Sequence, residues 1–140
     1  MNPPNFLASS LLVARGGGAG AWLRYLVSRL WTQAIGPVAA GVFPWATLTV
    51  NLVGSLAMGL LAGWLARHGS DHALGGESLR LLLGVGVLGG FTTFSAFSLE
   101  VVLLASRGAI GMAALYAALS LVAGIGGLML GLATMRGVAA

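Results

Sequence analysis

Apolar and polar positions alternate along this chain in long blocks rather than at the short periods of a soluble domain. Four apolar stretches stand out, at about residues 6–30, 45–66, 81–106 and 109–135. A helix needs about 20 apolar residues to cross the hydrocarbon core of a bilayer, and each stretch exceeds that. The connections between them are polar or carry helix breakers. They are Gly36-Pro37 through Pro44, then Arg67 through Arg80 with Asp71, His72 and Glu77, then the tight turn Ser106-Arg107-Gly108. Trp31, Trp45 and Trp64 fall near stretch ends, where indole rings favour the headgroup region. The pattern predicts a single all-α transmembrane domain of four helices occupying residues 1–140. A secretory leader is not expected at the N-terminus. Met1 to Asn5 lack a basic segment, and the apolar run continues past Arg15 without a small-residue cleavage site.

Composition sharpens the picture. The chain is 58% hydrophobic and 7% charged, against about 25% charged in a water-soluble domain. Its 140 residues leave no room for an appended soluble enzyme. Seven basic residues, all arginine, give a net charge of +4, yet they stand singly at stretch ends and form no nucleic-acid-binding patch. Anionic lipid headgroups are the expected neighbours. Without cysteine there is neither a disulfide framework nor a thiolate metal site.

Certain positions break the apolar pattern inside the stretches. The run Gly89-Gly90-Phe91-Thr92-Thr93-Phe94-Ser95-Ala96-Phe97-Ser98 combines glycines and paired threonines, which weaken a helix and free its carbonyl groups. At membrane depth such a break must be buried in protein or line a polar cavity. The third helix is therefore expected to be broken near its middle, beside an ion or substrate path. The second stretch holds Thr47, Thr49, Asn51 and Ser55. A buried Asn51 amide needs partners, and either an interhelical hydrogen bond or donation to an anion supplies one. Phe91, Phe94 and Phe97 recur every three residues and share a broad face. Such a stripe serves packing, but an aromatic ring also has a positive edge that can attract an anion without carrying charge.

Small residues recur at four-residue spacing in Gly16/Gly20, Gly59/Gly63, Gly86/Gly90 and Gly127/Gly131. This spacing lets helices approach closely, within a subunit or between subunits. Arg67, Arg80 and Arg136 flank one side of the membrane, and Arg29 and Arg107, with Arg24 nearby, flank the other. Orientation follows excess arginine and lysine, so this near balance suits insertion in both orientations and antiparallel pairing. One-sided insertion set by another signal fits it equally.

Four motifs together resemble the Fluc (CrcB) fluoride channels of bacteria. They are Gly16-Gly17-x-x-Gly20-x-x-x-Arg24-Tyr25, Thr47-Leu48-x-Val50-Asn51-x-x-Gly54 preceded by Pro44-Trp45, the Gly89–Ser98 run, and Tyr116 with Ser120 in the last helix. The resemblance extends from about Leu11 to Met135. It implies an antiparallel, dual-topology homodimer of four-helix subunits in the bacterial inner membrane, with two fluoride pathways built from both subunits. By that match Asn51 donates its amide to fluoride, and Phe94 and Phe97 present ring edges. Thr49, Tyr116 and Ser120 form a polar track beside them. Backbone carbonyls of Gly89 and Thr92 hold a structural sodium ion at the dimer interface, a hard cation suited to oxygen donors. Arg24 lies near an aqueous vestibule and Glu100 at its mouth. The implied activity is passive, electrogenic fluoride efflux that lowers cytoplasmic fluoride.

Arg15 lies well inside the first stretch, where it snorkels, faces a vestibule or pairs with an acid such as Glu100. Other classes fit less well. A small four-helix multidrug transporter needs a carboxylate in its first helix, and none is present. An intramembrane serine protease needs a membrane histidine, whereas His68 and His72 sit in the polar connection with Asp71 as their only close acid, which also argues against a metal site. The nearest competitor is a proton-coupled fluoride exporter, for which Glu100 alone is thin material.

Overall fold

The computed structural model describes residues 5–68 and 75–137 of the chain; Asp71 and His72 lie outside them. The described residues form four long helical rods joined by short connections. Helix α1 (Phe6–Val42) begins at Asn5, whose Oδ1 accepts a hydrogen bond from the Ala8 N–H at 2.9 Å. It runs beyond the expected end at Leu30, because nothing in residues 31–35 stops a helix. The interruption comes at Gly36, which adopts φ 80°, a left-handed conformation open mainly to glycine. Pro37 follows, its fixed φ suited to the start of a new helical turn, and the chain stays helical to Val42.

Helix α2 (Trp45–His68) returns across the bundle. The third rod, Gly76–Ser106, starts earlier than expected and is composite. It comprises α3 (Gly76–Leu79), a wide-turned π-helical stretch (Arg80–Leu88), α4 (Gly89–Phe91) and, after an interruption, α5 (Phe94–Ser106). Helix α6 (Ile110–Gly137) follows the Ser106–Gly108 turn. Among the described residues, three rods are long and apolar enough to cross a membrane: Trp45–His68, Gly76–Ser106 and Ile110–Met135. The first rod differs in that Arg15, Arg24 and Arg29 interrupt its apolar run.

Close backbone approach holds the rods together. Helix α1 lies against the π-helical stretch, where a Cβ at Gly20 would collide with the Val87 carbonyl oxygen. Helix α2 pairs with α6 through Gly59, Gly63, Gly127 and Gly131. All eight of the four-spaced glycines face neighbours within the same chain, so their spacing serves packing inside the subunit. The buried core is small: Phe43, Leu104, Ala113 and Tyr116 form one cluster, and Val50 is buried besides. Many large apolar side chains, including Trp22, Val122 and Met129, point outward. Lipid tails are as apolar as leucine, so outward apolar surface is no liability for a multi-pass membrane protein.

Candidate site at the interrupted third span

The interruption is built by two threonines that each close one half-helix. Thr92 and Thr93 are both extended, with ψ 160° and 123°. Thr92 ends the upper half, its N–H and its hydroxyl both donating to the Leu88 carbonyl at 3.0 and 2.8 Å. Thr93 begins the lower half, where its hydroxyl accepts from the Ala96 N–H at 3.2 Å as a helix N-cap. Asn51 of α2 bridges the gap. Its Nδ2 donates to the Thr93 carbonyl at 3.0 Å, and its Oδ1 accepts from the Thr93 N–H at 2.8 Å. In an unbroken helix that N–H would serve the Gly89 carbonyl. Asn51 thus diverts the donor and frees an acceptor. An amide NH₂ carries two hydrogens, and this pairing uses one.

Two cavities meet at Thr93, which stands in the wall of both. One, of about 290 Å³, lies between α2, α5 and α6 and is bordered by Asn51, Ser55, Phe94, Phe97 and Ser120. The other, of about 490 Å³, is bordered by Arg24, Tyr25, Trp31, Thr47 and Glu100. Arg24 reaches from it to the interruption, its Nη1 donating to the Thr92 carbonyl at 3.3 Å. A cation suits this position, since the last carbonyls of a helix carry partial negative charge.

Glu100 is held by two hydroxyls. Thr47 Oγ1 donates to Oε1 and Tyr116 OH to Oε2, each at 2.7 Å. Tyr116 is fully buried between Phe43, edge-on at 5.5 Å, and Phe97, tilted at 5.3 Å. Phe97 in turn meets Phe94 at 5.6 Å. Rings therefore connect the residue after α1 to the interruption without a gap. Ser120 Oγ is buried with no hydrogen-bond partner among the described residues, at the edge of the smaller cavity.

The residues singled out from sequence distribute as follows. Asn51, Phe94, Phe97 and Ser120 surround the smaller cavity, and Tyr116 stands behind Phe97. Arg24 and Glu100 line the larger one. Gly89 and Thr92 lie in the last turn of the upper half-helix. Thr49 is turned away, lining neither cavity; its hydroxyl donates to the Trp45 carbonyl at 2.8 Å and accepts from Trp31 Nε1 at 3.1 Å. Thr47 takes the place beside Glu100, and sequence reasoning gave it no role. Helical spacing held the signal: Thr47 is four residues from Asn51 and so shares its face. Arg15 is exposed, and the pairing with Glu100 entertained for it is not formed.

These features define a multi-pass helical membrane protein whose third span is interrupted where polar groups from three helices converge. The family model described as "CrcB-like protein, Camphor Resistance (CrcB)" matches residues 11–132, and the chain belongs to that family. Named relatives are similar over nearly their full lengths. One called fluoride-specific ion channel FluC, from Novosphingobium aromaticivorans, is 65% identical over 133 residues, covering 95% of this chain and all of the relative. Relatives of the same name from Beijerinckia indica subsp. indica and Rhodospirillum centenum are 49% and 53% identical over 130 and 126 residues. They cover 93% and 90% of this chain, and 98% and 94% of themselves.

Proposed function

We propose that this chain is the subunit of a fluoride-selective channel through which the anion leaves the cytoplasm passively and electrogenically. The observation that carries the reading is the convergence of anion-seeking groups on the cavity beside the interruption. One Asn51 N–H remains after Thr93 is satisfied, Ser120 Oγ is buried without a partner, and two phenylalanine rings border the same space. Such groups offer a small, strongly hydrated anion binding that replaces part of its water without trapping it, as conduction requires. The names of the relatives agree with this choice of anion.

The working unit in this reading is an antiparallel homodimer in the bacterial inner membrane, with α1 as the fourth crossing. Phe94 is 78% exposed in the single chain, and a second copy packed there completes the wall of the pathway. Arg24 draws anions into the larger cavity. Glu100, Thr47 and Tyr116 form the polar wall between that cavity and the rings, and Thr49 serves by anchoring Trp31.

A structural sodium ion fits the interruption. The Gly89 carbonyl has lost its helical donor to Asn51, and the Thr92 carbonyl, although engaged by Arg24, keeps a second lone pair. Two carbonyls from each copy would supply oxygen ligands, and the ion would contribute fixed positive charge at the dimer centre.

The proposal is tested by reconstituting the purified protein in liposomes loaded with both halides. Fluoride release with chloride retained supports it; equal release of both contradicts it.

A further inference from the structure

Three spaces follow one another along α2. The larger cavity beside Thr93 meets the helix at Trp45, Thr47 and Val50, and the smaller one at Asn51, Ser55 and Met58. A groove of about 830 Å³ then borders it at Met58, Leu61 and Leu65. From Trp45 to Leu65 a helix rises about 30 Å, the thickness of a bilayer's hydrocarbon core. Met58 is the one described residue that borders both the smaller cavity and the groove. It is half-buried, and its side chain reaches toward the third rod, where a Cβ at Gly84 would lie 3.9 Å from its Sδ.

The smaller cavity changes character on the way to Met58. Asn51, Ser55 and Met58 are spaced by four and three residues and share one side of α2. On α6 the same cavity is bordered by Ser120, Gly124 and Leu128. The two helices run the same way, with Gly127 against Leu52 and Gly63 against Met135, so the two series lie side by side. Amide and hydroxyl groups stand at one end, and a thioether and an isobutyl group at the other. The last pair offers an anion no hydrogen-bond donor.

We propose that Met58 is an apolar neck between the Asn51 cavity and the groove, and that passage through it limits the rate of fluoride flux. The inference rests on the channel reading. Fluoride that has exchanged part of its water for Asn51 and Ser120 meets at Met58 a place without donors, and hydrophobic constrictions of this kind gate by dewetting. An unbranched methionine swings aside through its rotatable bonds without moving a helix. Glycine at residue 84 leaves room for that motion, since a Cβ there would make only ordinary contacts with Met58 and Leu61.

The test is the initial rate of fluoride efflux from liposomes holding equal amounts of folded parent, Met58→Ala, Met58→Gln or Met58→Phe. Alanine widens the neck, and should raise the rate roughly tenfold, a barrier lower by about 1.4 kcal/mol. Glutamine keeps the length of methionine but brings donors that hold water, and should raise the rate as well. Phenylalanine fills the neck and should lower the rate roughly tenfold. A residue that merely packs would give the reverse for glutamine, because a polar group placed among apolar ones weakens the fold. Rates that ignore residue 58, or that fall in both the glutamine and the phenylalanine variants, would overturn the neck. Those two variants decide the matter alone if the alanine variant does not fold. A parent that releases no fluoride would instead overturn the channel reading and the neck with it, so the two failures are told apart.

Discussion

The side-chain amide of Asn51 pairs with the Thr93 peptide group at both ends, donating to its carbonyl at 3.0 Å and accepting from its N–H at 2.8 Å. A side chain on one rod thereby completes the backbone hydrogen bonding of another, at the point where the helix ladder of the third span is interrupted. Within lipid an unsatisfied peptide group is costly, so the interruption depends on this bridge. The bridge also uses only one of the two Nδ2 hydrogens. Structure and proposed anion contact meet in a single residue.

Asn51→Ala should therefore weaken both. Leaving the Thr93 N–H and carbonyl unpaired costs about 1–3 kcal/mol per group, seen as earlier thermal unfolding in detergent, and fluoride flux should fall to background. Asn51→Asp keeps the acceptor for the Thr93 N–H but replaces the donor with a carboxylate. It should unfold later than the alanine variant and still conduct nothing. Normal flux in the aspartate variant would remove the amide hydrogen from the mechanism.

The two phenylalanines separate packing from conduction. Phe94 is largely exposed in the single chain, whereas Phe97 packs on Tyr116. Phe94→Ile should reduce fluoride flux at least tenfold, about 1.4 kcal/mol in barrier height, while the subunit remains folded by circular dichroism. Phe97→Ile should lower flux and thermal stability together. Undiminished flux in Phe94→Ile would assign the ring to packing alone.

At the α1 contact, Gly20→Ala forces a methyl group into the Val87 carbonyl oxygen. Overpacking of this kind costs about 1–3 kcal/mol. Gly18 faces open space, and Gly18→Ala should stay within about 0.5 kcal/mol of the parent. Comparing the two unfolding temperatures tests whether the glycine spacing acts by close approach or merely by composition.

Sodium dependence is a separate matter. Purification with N-methylglucamine in place of sodium should give protein that conducts fluoride poorly and recovers when sodium is restored. Flux indifferent to prolonged sodium removal would leave the Gly89 and Thr92 carbonyls without an ion to hold.

Much of this architecture was legible before any coordinates. The long apolar blocks give the four rods, and the Gly-Gly-Phe-Thr-Thr run gives the interruption, because both follow from local chemistry. The end of α1 was not legible in the same way. The apolar stretch stops at Leu30, but Trp31 to Ile35 are tolerated in a helix, and only at Gly36, before Pro37, does the backbone leave helical torsions. The two threonines of α2 show where helical spacing outweighs resemblance. Thr49 lies two residues from Asn51 and turns to the opposite side, toward Trp31, while Thr47 at four residues shares the Asn51 side and reaches Glu100. The hydrogen-bonded group of Thr47, Glu100 and Tyr116 draws on three different helices, so no local pattern announces it.

The most direct test of the central claim is fluoride efflux from liposomes, followed by a fluoride electrode with and without a potassium ionophore. The account predicts rapid release only when the ionophore lets potassium carry the compensating charge, as an electrogenic pathway requires. Release that proceeds equally without the ionophore, or that follows an imposed proton gradient, would contradict a passive channel and point instead to proton-coupled export.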